Sequence, residues 1–393
     1  MSQTTLLDGI VVLDVTQVMA GPYCAMLLAD MGARVIKVEP PRGDSTRAMA
    51  GGHHGESHAY NAVNRGKLGV VLDLQHEDGR CAFRRLAATA DIVVENFRPG
   101  VMTRLGLDYD TLVRQQPRLI YASISGYGQT GPWATKGGFD LVAQGVSGIM
   151  SVTGEPGRPP VKAGIPVTDL GAGLFALAGI LAALHYRDRT GQGQHVDTSL
   201  GDAGLALSVW EATEHFGGGT PGPLGSAHRL IAPYQAFQCA DGYITIGAGN
   251  QRTFEKLAHV LGHPEWIDDP QFATGTTRVA HRDALTAVIE RETVTASRAD
   301  WLERLDAVGV PCGPILDYAE AFDTPQARAR EMSVEVEHPT LGRVRSLGTP
   351  IKMSATPLDP RRRAPLLGEH TAEVLASIGY SPVEIARLRV ALA

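Results

Sequence analysis

The acidic residue Asp169 lies directly before a long apolar stretch, in the sequence "TDLGAGLFALAGILAAL" from Thr168 to Leu184. The length and the Ala and Leu content of Leu170 to Leu184 predict a buried helix. Thr168 and Asp169 are then placed to act as its N-cap, which is a common use of such residues. A catalytic carboxyl is the alternative, and the rest of the chain must decide between the two.

Two arginines and an amide follow one predicted strand. Asn96, Phe97 and Arg98 end the strand "ADIVVENF", and Arg104 comes one or two helical turns later. An aromatic ring, an amide and guanidinium groups suit a ligand that carries an adenine and phosphates. Taken singly, each arginine is also compatible with an ordinary solvated surface charge.

Three familiar signatures are missing from the sequence. The first loop, Thr16 to Pro22, contains a single Gly followed by Pro and therefore lacks the G-x-G-x-x-G pattern of dinucleotide-binding proteins. The phosphate-binding lysine loop of nucleotide hydrolases is absent, and His and Cys residues form no closely spaced ligand set. We therefore expect neither nucleotide hydrolysis nor a metal centre.

The elements that must position these residues alternate between strand and helix. The segments "GIVVLDV", "ARVIKVE", "KLGVVLDL", "ADIVVENF" and "PRLIYASISGYG" are predicted strands, and "GPYCAMLLADMG", "EDGRCAFRRLAATA" and "YDTLVRQQP" are predicted helices. This alternation predicts an α/β fold with a doubly wound, Rossmann-like parallel sheet. Ligands of such sheets bind at the carboxyl ends of the strands, where "TQVMAGP", "ENFRPGVMTR" and "SGYGQTGP" lie.

Composition and charge are those of a soluble globular protein. The 393 residues are 44% hydrophobic and 20% charged, with a net charge of -6, so a basic surface for nucleic acid is not expected. The four cysteines form no C-x-x-C pair, which favours reduced thiols and a cytoplasmic location. Leu170 to Leu184 is shorter than the ~20 residues that span a bilayer, and we interpret it as a core helix rather than a membrane segment.

The sequence predicts a large domain, a small domain and a returning segment. Residues 1–216 form the N-terminal part of the large domain, and the Gly/Pro-rich "FGGGTPGPLGSAH" begins a smaller α+β domain over residues 217–330. Within that domain "YQAFQCADGYITIGAGN" predicts two strands around an Asp-Gly turn. Residues 331–393 continue with short strands and end in a helical tail from Glu369, which we expect to pack on the large domain.

Nine motifs together resemble those of the class III CoA-transferases, the family of formyl-CoA transferase and crotonobetainyl-CoA:carnitine CoA-transferase. The resemblance covers nearly the whole chain. Its motifs, in chain order, are "LDGIVVLDVTQVMAGP", "GARVIKVEPPRGDSTR", "DIVVENFRPGVMTRLGLDY", "SISGYGQTGP", "TDLGAGLFALAGILAAL", "RTGQGQHVDTSL", "APYQAFQCADGYITIG", "GVPCGPI" and "APLLGEHT". Each motif alone is weak, but their common order and spacing identify the chain as a member of this family.

The resemblance implies that Asp169 is the nucleophile, with CoA thioesters as substrates and no permanently bound cofactor. A carboxylate in this role attacks an acyl-CoA thioester, and an aspartyl-CoA thioester follows by way of mixed anhydrides. Backbone amides at the helix N-terminus would stabilise the oxyanions. The resemblance further implies that the coenzyme contacts Met19, Ala20, Leu72, Gln75, Asn96, Phe97, Arg98, Arg104, Lys136, Phe139 and Asp140.

Two positions depart from the family pattern. Pro40 stands where formyl-CoA transferase has an arginine near the adenine, so Arg42 or Arg47 is expected to substitute. The glycine loop over the active site is replaced by the shorter "GSAHRLIAPYQ", which contains His228 and Arg229. A cation there suits the second carboxylate of a dicarboxylic substrate, whereas exposed linker residues are the equally favoured alternative. The expected donor is succinyl-CoA or another short acyl-CoA, and the expected acceptor is a small carboxylic acid.

Other functions are compatible with the same fold. The α-methylacyl-CoA racemases use a His/Asp pair in a "GHD" motif, but this chain has "GFD", and Phe139 cannot accept a proton. A nicotinamide oxidoreductase is disfavoured by the missing glycine pattern, and a non-catalytic CoA-binding protein would have little use for Asp169. Finally, the resemblance implies a homodimer of two interlocked chains, in which the linker near 217–226 and a second connection near 325–350 let the small domain swing away.

Overall fold

The computed structural model describes residues 5–49 and 56–390, and it divides into two compact units. The first comprises the described residues within Met1–Ile149, Lys162–Gly217 and Pro325–Ala393, and the second comprises Met150–Val161 and Gly218–Thr324. Residues 150–161, which we assigned to the large domain, therefore group with the second unit. The C-terminal segment from Pro325 groups with the first.

The first unit contains a six-stranded, fully parallel sheet. Its strands are β1 (Val11–Asp14), β2 (Arg34–Glu39), β3 (Leu68–Val71), β4 (Ile92–Glu95), β5 (Ile120–Ser125) and β6 (His195–Ser199). They lie in the order β3-β2-β1-β4-β5-β6. The predicted parallel α/β sheet is confirmed. Because the order reverses between β1 and β4, the loops after these two strands flank the crevice where ligands of doubly wound sheets bind.

Helices and the remaining strands complete the described chain. The helices are α1 (Ala20–Asp30), α2 (His58–Asn64), α3 (Glu77–Ala87), α4 (Val101–Leu105), α5 (Tyr109–Leu112), α6 (Asp140–Val146), α7 (Ile149–Val152), α8 (Val167–Thr190), α9 (Leu200–Leu207), α10 (Val209–Phe216), α11 (Gln251–Val260), α12 (Gly275–Ala280), α13 (Arg282–Thr293), α14 (Arg298–Val308), α15 (Tyr318–Asp323), α16 (Pro325–Ala329), α17 (Thr371–Ser377) and α18 (Pro382–Val390). The other strands are β7 (Tyr234–Cys239), β8 (Gly242–Gly247), β9 (Cys312–Pro314), β10 (Ser333–His338) and β11 (Gly342–Leu347).

Helices α1 and α8 pack on one face of the sheet, and glycines allow them to approach closely. A Cβ atom at Gly173 would lie 2.6 Å from the Ala20 carbonyl oxygen, and one at Gly179 would lie 2.6 Å from a Val196 methyl carbon. The opposite face is covered by α3 and by the C-terminal helices, whose Val374 and Leu388 are buried with strand residues such as Leu13. Apolar contacts therefore fix both layers.

Helix α8 is the longest helix of the described chain. Its 24 residues are long and apolar enough to cross a membrane, but only by the criteria of length and composition. Half of its most apolar stretch is buried, and Ala172, Ala176 and Ile180 belong to the same core cluster as strand residues of the sheet. The packing is that of a core helix.

The second unit has its own core. Strands β7, β8 and β9 form an antiparallel sheet, and the two strands predicted around the Asp-Gly turn are confirmed as β7 and β8. Phe237, Phe254, Ile289 and Trp301 are buried among the side chains of its sheet and helices. All four cysteines of the chain are unpaired, as predicted.

Candidate active site

A cavity of about 300 Å³ opens at the carboxyl ends of β1, β4 and β5 in the first unit. Its walls come from the loops that follow these strands, from the segment before α6 and from the starts of α1, α8 and α9. The lining residues are Gln17, Val18, Met19, Ala20, Asn96, Phe97, Arg98, Pro99, Ile124, Ser125, Gly126, Lys136, Gly137, Gly138, Phe139, Asp169 and Leu200. Eight of the twelve residues predicted as catalytic or CoA-binding line this cavity, and a ninth, Asp140, directly follows the lining residue Phe139.

Asp169 lies in the first turn of α8 and faces the cavity. The helix begins at Val167, so Asp169 is its third residue, and Pro166 occupies the N-cap position without a side-chain capping bond. The predicted N-cap role of Thr168 and Asp169 is therefore wrong. The helix starts earlier than expected because its first turn receives an acceptor from another segment.

That acceptor is Asp140, the first residue of α6. Its Oδ1 accepts hydrogen bonds from the Thr168 N–H at 3.0 Å and the Thr168 hydroxyl at 2.8 Å. Its Oδ2 accepts from Gln144 Nε2 at 2.6 Å, and Gln144 Oε1 accepts the Ala163 N–H. Asp140, predicted to contact the coenzyme, therefore caps the catalytic helix, and it is not among the lining residues of the cavity.

The Asp169 carboxyl has no hydrogen-bond donor among the described residues. Burial raises its pKa to about 7, with a further contribution from the negative charge of Asp140. A carboxylate without donors keeps its lone pairs available for attack on an electrophile. This environment is typical of a functional carboxyl rather than of a capping residue, which would accept backbone N–H bonds.

Asn96 connects two of the loops that form the cavity wall. Its Oδ1 accepts the Gln17 N–H at 2.8 Å, and its Nδ2 donates to the Gln17 carbonyl at 2.7 Å. The next residue, Val18, has φ +70°, which is unusual for a β-branched side chain. After this turn α1 begins, and the Met19 and Ala20 N–H groups have no acceptor among the described residues. They are donors available at the cavity wall.

Phe97 is oriented by the buried Glu95. The Phe97 N–H donates to Glu95 Oε2 at 2.8 Å, and burial raises the pKa of Glu95 to about 7. Next to Phe97, the Arg98 guanidinium lies so close to the chain that a Cβ atom at Gly137 would be 2.8 Å from its Nη2. None of the described carboxylates pairs with Arg98, so its positive charge is available at the cavity.

Lys136 and Phe139 line the cavity from the segment that precedes α6. The Lys136 ammonium is 4.3 Å from the centre of the Trp133 ring, and the Phe139 side chain is 70% exposed. The backbone at Gly138 packs directly against the loop after β5, because a Cβ atom at Gly138 would be 2.5 Å from the Gly126 Cα. The sequence motif "GGFD" contains Gly138, but only the structure shows that the close approach of the two backbones requires a glycine at this position.

Leu72, Gln75 and Arg104 lie away from this cavity. Leu72 is buried in the core after β3, and Gln75 is exposed, with its N–H bonded to Asp73 Oδ1. Arg104 is exposed in the last turn of α4. Their contacts with the coenzyme remain predictions, which a long ligand extending beyond the cavity would satisfy.

The two arginines expected to compensate for Pro40 differ in their surroundings. Arg47 donates to both carboxylate oxygens of Glu39, at 2.7 and 2.9 Å, and its guanidinium lies 3.6 Å from the centre of the Tyr60 ring. Arg42 is exposed. Because the Arg47 guanidinium is already paired with Glu39, Arg42 is the better candidate to bind a phosphate.

His228 and Arg229 belong to the second unit. The His228 ring packs edge-on against Tyr234, and its Nδ1 accepts the Leu230 N–H at 3.0 Å. Arg229 donates to the Gly222 carbonyl at 2.7 Å. Both side chains thus stabilise their own loop, and the predicted contact with a substrate carboxylate remains a prediction.

The site shows no arrangement for a metal. Within residues 5–49 and 56–390, no group of three or more His, Cys, Asp or Glu side chains could hold a metal ion. The chemistry available at the cavity is that of a half-buried carboxyl, unpaired backbone N–H groups and two cationic side chains.

Comparison with known proteins agrees with this chemistry. The model of CoA-transferase family III matches residues 7–371. The chain is 42% identical to a succinate–glutarate CoA-transferase of Agrobacterium fabrum, over 95% of each chain. It is also 42% identical to an acetyl-CoA:oxalate CoA-transferase of Acetobacter aceti, over 93% of this chain and 94% of the relative.

A solved structure shares the fold as well. The crystal structure of a CAIB/BAIF family protein from Brucella suis is similar with a TM-score of 0.85 and 42% identity, covering 96% of this chain and all of the other. With the family model matching nearly the whole chain, the chain belongs to CoA-transferase family III and is an acyl-CoA:carboxylate CoA-transferase.

Proposed function

We propose that this enzyme moves CoA from a short acyl-CoA to a small dicarboxylic acid, with Asp169 as the covalent nucleophile. The observation that carries the proposal is the Asp169 carboxyl, which lines the cavity and accepts no hydrogen bond from any described residue. A carboxylate is a sufficient nucleophile towards a thioester because the thiolate is a good leaving group.

The reaction balances without a further reactant. An Asp169 oxygen attacks the thioester carbonyl carbon, the C–S bond breaks, and CoA leaves as the thiolate while a mixed anhydride forms. The thiolate then attacks the Asp169 carbonyl carbon and releases the first acid, which leaves an aspartyl-CoA thioester. The acceptor carboxylate attacks the carbonyl carbon of that thioester, the C–S bond breaks, and the CoA thiolate leaves as a second mixed anhydride forms. The thiolate then attacks the acceptor's carbonyl carbon in this anhydride, which gives the new acyl-CoA and restores the Asp169 carboxylate.

Each attack places negative charge on a carbonyl oxygen. The N–H groups of Met19 and Ala20 at the start of α1 are suited to stabilise this charge, because they can donate hydrogen bonds to the oxygen and the helix dipole adds to the effect. Arg98 and Lys136 add positive charge to the same walls. This charge favours an anionic substrate over a neutral one.

The acid is proposed to be dicarboxylic because the two similar enzymes are named for succinate, glutarate and oxalate. Succinyl-CoA and acetyl-CoA are the donors to test first. The acceptor test compares glutarate with pentanoate, which has the same chain length but a single carboxylate. We expect glutaryl-CoA to form, as measured by mass. Equal transfer to pentanoate would contradict the dicarboxylate preference while leaving CoA transfer intact.

The nucleophile is tested by trapping the intermediate. Incubation with the acyl-CoA followed by hydroxylamine should convert Asp169 to a hydroxamate, found by peptide mass. Asp169→Asn should lose both the label and the transfer while remaining folded. A label on another residue, or transfer by the folded variant, would refute Asp169 as the nucleophile.

We further propose a homodimer, as the resemblance implies. The neighbouring helices α6, α8, α9 and α10 expose large apolar side chains on the first unit, among them Leu141, Val146, Leu174, Phe175, Leu205 and Phe216. Exposed apolar side chains on neighbouring helices favour association with another protein surface. A second copy of this chain is the proposed partner.

A further inference from the structure

Six buried or nearly buried charges lie beneath the loop that leads into α1. They form three pairs: Asp14 with Lys67 at 2.7 Å, Asp44 with Lys37 at 3.0 Å, and Glu39 with Arg47 at 2.7 Å. The side chains of the first two pairs are fully buried. Since positive and negative charges are equal in number, each ion has the partner that burial requires.

Two of these cations hold the loop at both ends. Lys37 Nζ donates to the Thr16 carbonyl at 2.5 Å, and Lys67 Nζ donates to the Pro22 carbonyl at 2.9 Å. Asp14 Oδ1 accepts the Thr16 N–H at 2.9 Å. The loop residues Thr16 to Pro22 are thus anchored by side chains from three different strands or strand ends.

The middle of the loop is held in a strained conformation. Val18 has φ +70°, its N–H points to Asp44 Oδ1 at 3.5 Å, and both peptide groups of Gln17 bond to Asn96. Such a conformation persists only where the surroundings determine it from several sides. The strain lies directly before the Met19 and Ala20 N–H groups.

Stability alone does not explain this arrangement. A buried ion pair can often be replaced by apolar side chains without loss of stability, whereas apolar groups cannot bind the Thr16 and Pro22 carbonyls. The ions fix the direction of the loop, and the loop presents its N–H groups to the cavity that contains Asp169.

We propose that Lys37 and Lys67 are positioning residues of the transfer reaction, which hold the Thr16–Pro22 loop so that its backbone N–H groups can stabilise the oxyanion. The inference rests on the proposed function, in which Asp169 is the nucleophile. In this proposal the two lysines act through the loop and do not contact the substrate. Neither lysine lines the cavity.

Lys67 gives the proposal a pH dependence. Its Nζ donates to three acceptors, which are Asp14 Oδ2, the Pro22 carbonyl and Asn64 Oδ1. The charged or titratable groups that face it are Asp14 from β1, Lys37 from β2, Asp44 from the following turn and the Cys24 thiol from α1. The pKa of Lys67 is lowered to about 8: burial is the main cause, Asp14 opposes it and the positive charge of Lys37 adds to it.

Deprotonation of Lys67 has opposite effects on stability and on the loop. Because the pKa of Lys67 is lower in the folded state than its usual 10.5, the unfolded state binds more protons between these values, and this group makes folding more favourable as the pH rises. The neutral amine, however, has one donor fewer for its three acceptors. Activity should therefore fall above about pH 8 without a fall in Tm from this group.

The first test removes one ion pair completely. The double variant Lys37→Met/Asp44→Asn removes both members of the pair and leaves neither charge unpaired. Its matched control is Arg65→Met/Asp30→Asn. The control removes a buried ion pair at 2.7 Å and a hydrogen bond to the Leu347 carbonyl, both away from the cavity. We expect kcat to fall on the order of 100-fold in the first variant, with a smaller change in KM. The control should lose Tm but keep its kcat.

A kcat in the folded Lys37→Met/Asp44→Asn variant equal to that of the control would overturn the proposal. If that variant does not fold, the second test uses Lys67→Arg, which stays protonated at pH 8. We expect the alkaline fall in kcat to move to higher pH, and an unmoved limb in the folded variant would overturn the role of Lys67. Trapping at Asp169 in the wild type, done in parallel, separates failure of this inference from failure of the proposed nucleophile.

Discussion

At the scale of single residues, the reactivity of the Asp169 carboxyl depends on its protonation. Burial and the charge of Asp140 raise its pKa to about 7, and only the ionised form can attack a thioester. We therefore predict that kcat/KM for the acyl-CoA rises with pH up to about 7 and then stays level until the fall above about pH 8 that is expected from Lys67. The measurement is the initial rate at low acyl-CoA concentration from about pH 5 to about pH 9.

The stability of Asp169→Asn is the control for this pKa. The carboxyl is protonated in the folded protein and ionised in the unfolded protein between its usual 3.8 and about 7, so wild-type stability falls as the pH rises across that window. The variant lacks this group, and its Tm should exceed that of the wild type increasingly from about pH 4 to about pH 7. A constant difference in Tm across the window would contradict the raised pKa.

At the scale of secondary-structure elements, the start of α8 depends on a residue of α6. Asp140 accepts the Thr168 N–H and hydroxyl, and its charge contributes to the raised pKa of Asp169. We predict that Asp140→Asn keeps the acceptor and most of the stability but moves the acid limb of kcat/KM to lower pH. Asp140→Ala should also lose about 1 kcal/mol of unfolding free energy, the usual cost of a lost cap.

These two variants also identify the group that titrates. Glu95 has a pKa of about 7 as well, but the charge of Asp140 is not among the causes of its shift. A limb that moves in Asp140→Asn therefore belongs to Asp169, whereas an unmoved limb would point to Glu95 and contradict the prediction. Chemical denaturation of the same variants measures how much the cap contributes to the free energy of unfolding.

The sequence predicts the elements well where the periodicity of apolar residues determines them. Strands such as "RVIKVE" are buried on both faces of a parallel sheet, so their pattern is a local property. The predicted start of α8 was wrong because its cap comes from Asp140, which is distant in the sequence. The pairing of Lys67 with Asp14 likewise joins residues that are far apart in the sequence. A lysine inside a buried strand, such as Lys37, is the one local sign that a charge network exists.

Motif resemblance named Met19, Asn96 and Arg98 as coenzyme contacts. The structure brings these three residues to one cavity, and their contact with the coenzyme stays a prediction. The resemblance did not separate residues that face the cavity from those that support it, such as Asp140, since that difference depends on side-chain direction in three dimensions.

At the scale of the whole molecule, we predict association through the apolar surface on the first unit. Large side chains of α6, α8, α9 and α10 are exposed there, including Leu205 at 58% exposure. An interlocked homodimer would bury this surface, and its chains could separate only by unfolding. We predict a particle of twice 41.8 kDa that persists at nanomolar concentration and is lost only together with secondary structure.

A pair of matched variants tests which surface is responsible. Leu205→Glu places a charge on the proposed interface, and Val383→Glu places the same charge on the exposed start of α18, where 71% of Val383 is accessible. Burying an unpaired carboxylate is costly, so Leu205→Glu should reduce the yield of dimer and lower its Tm, while Val383→Glu should behave as the wild type. Mass photometry together with circular dichroism measures both quantities. A folded, active monomer of the wild type would refute the obligate dimer, and a Leu205→Glu dimer of unchanged stability would exclude this surface as its interface.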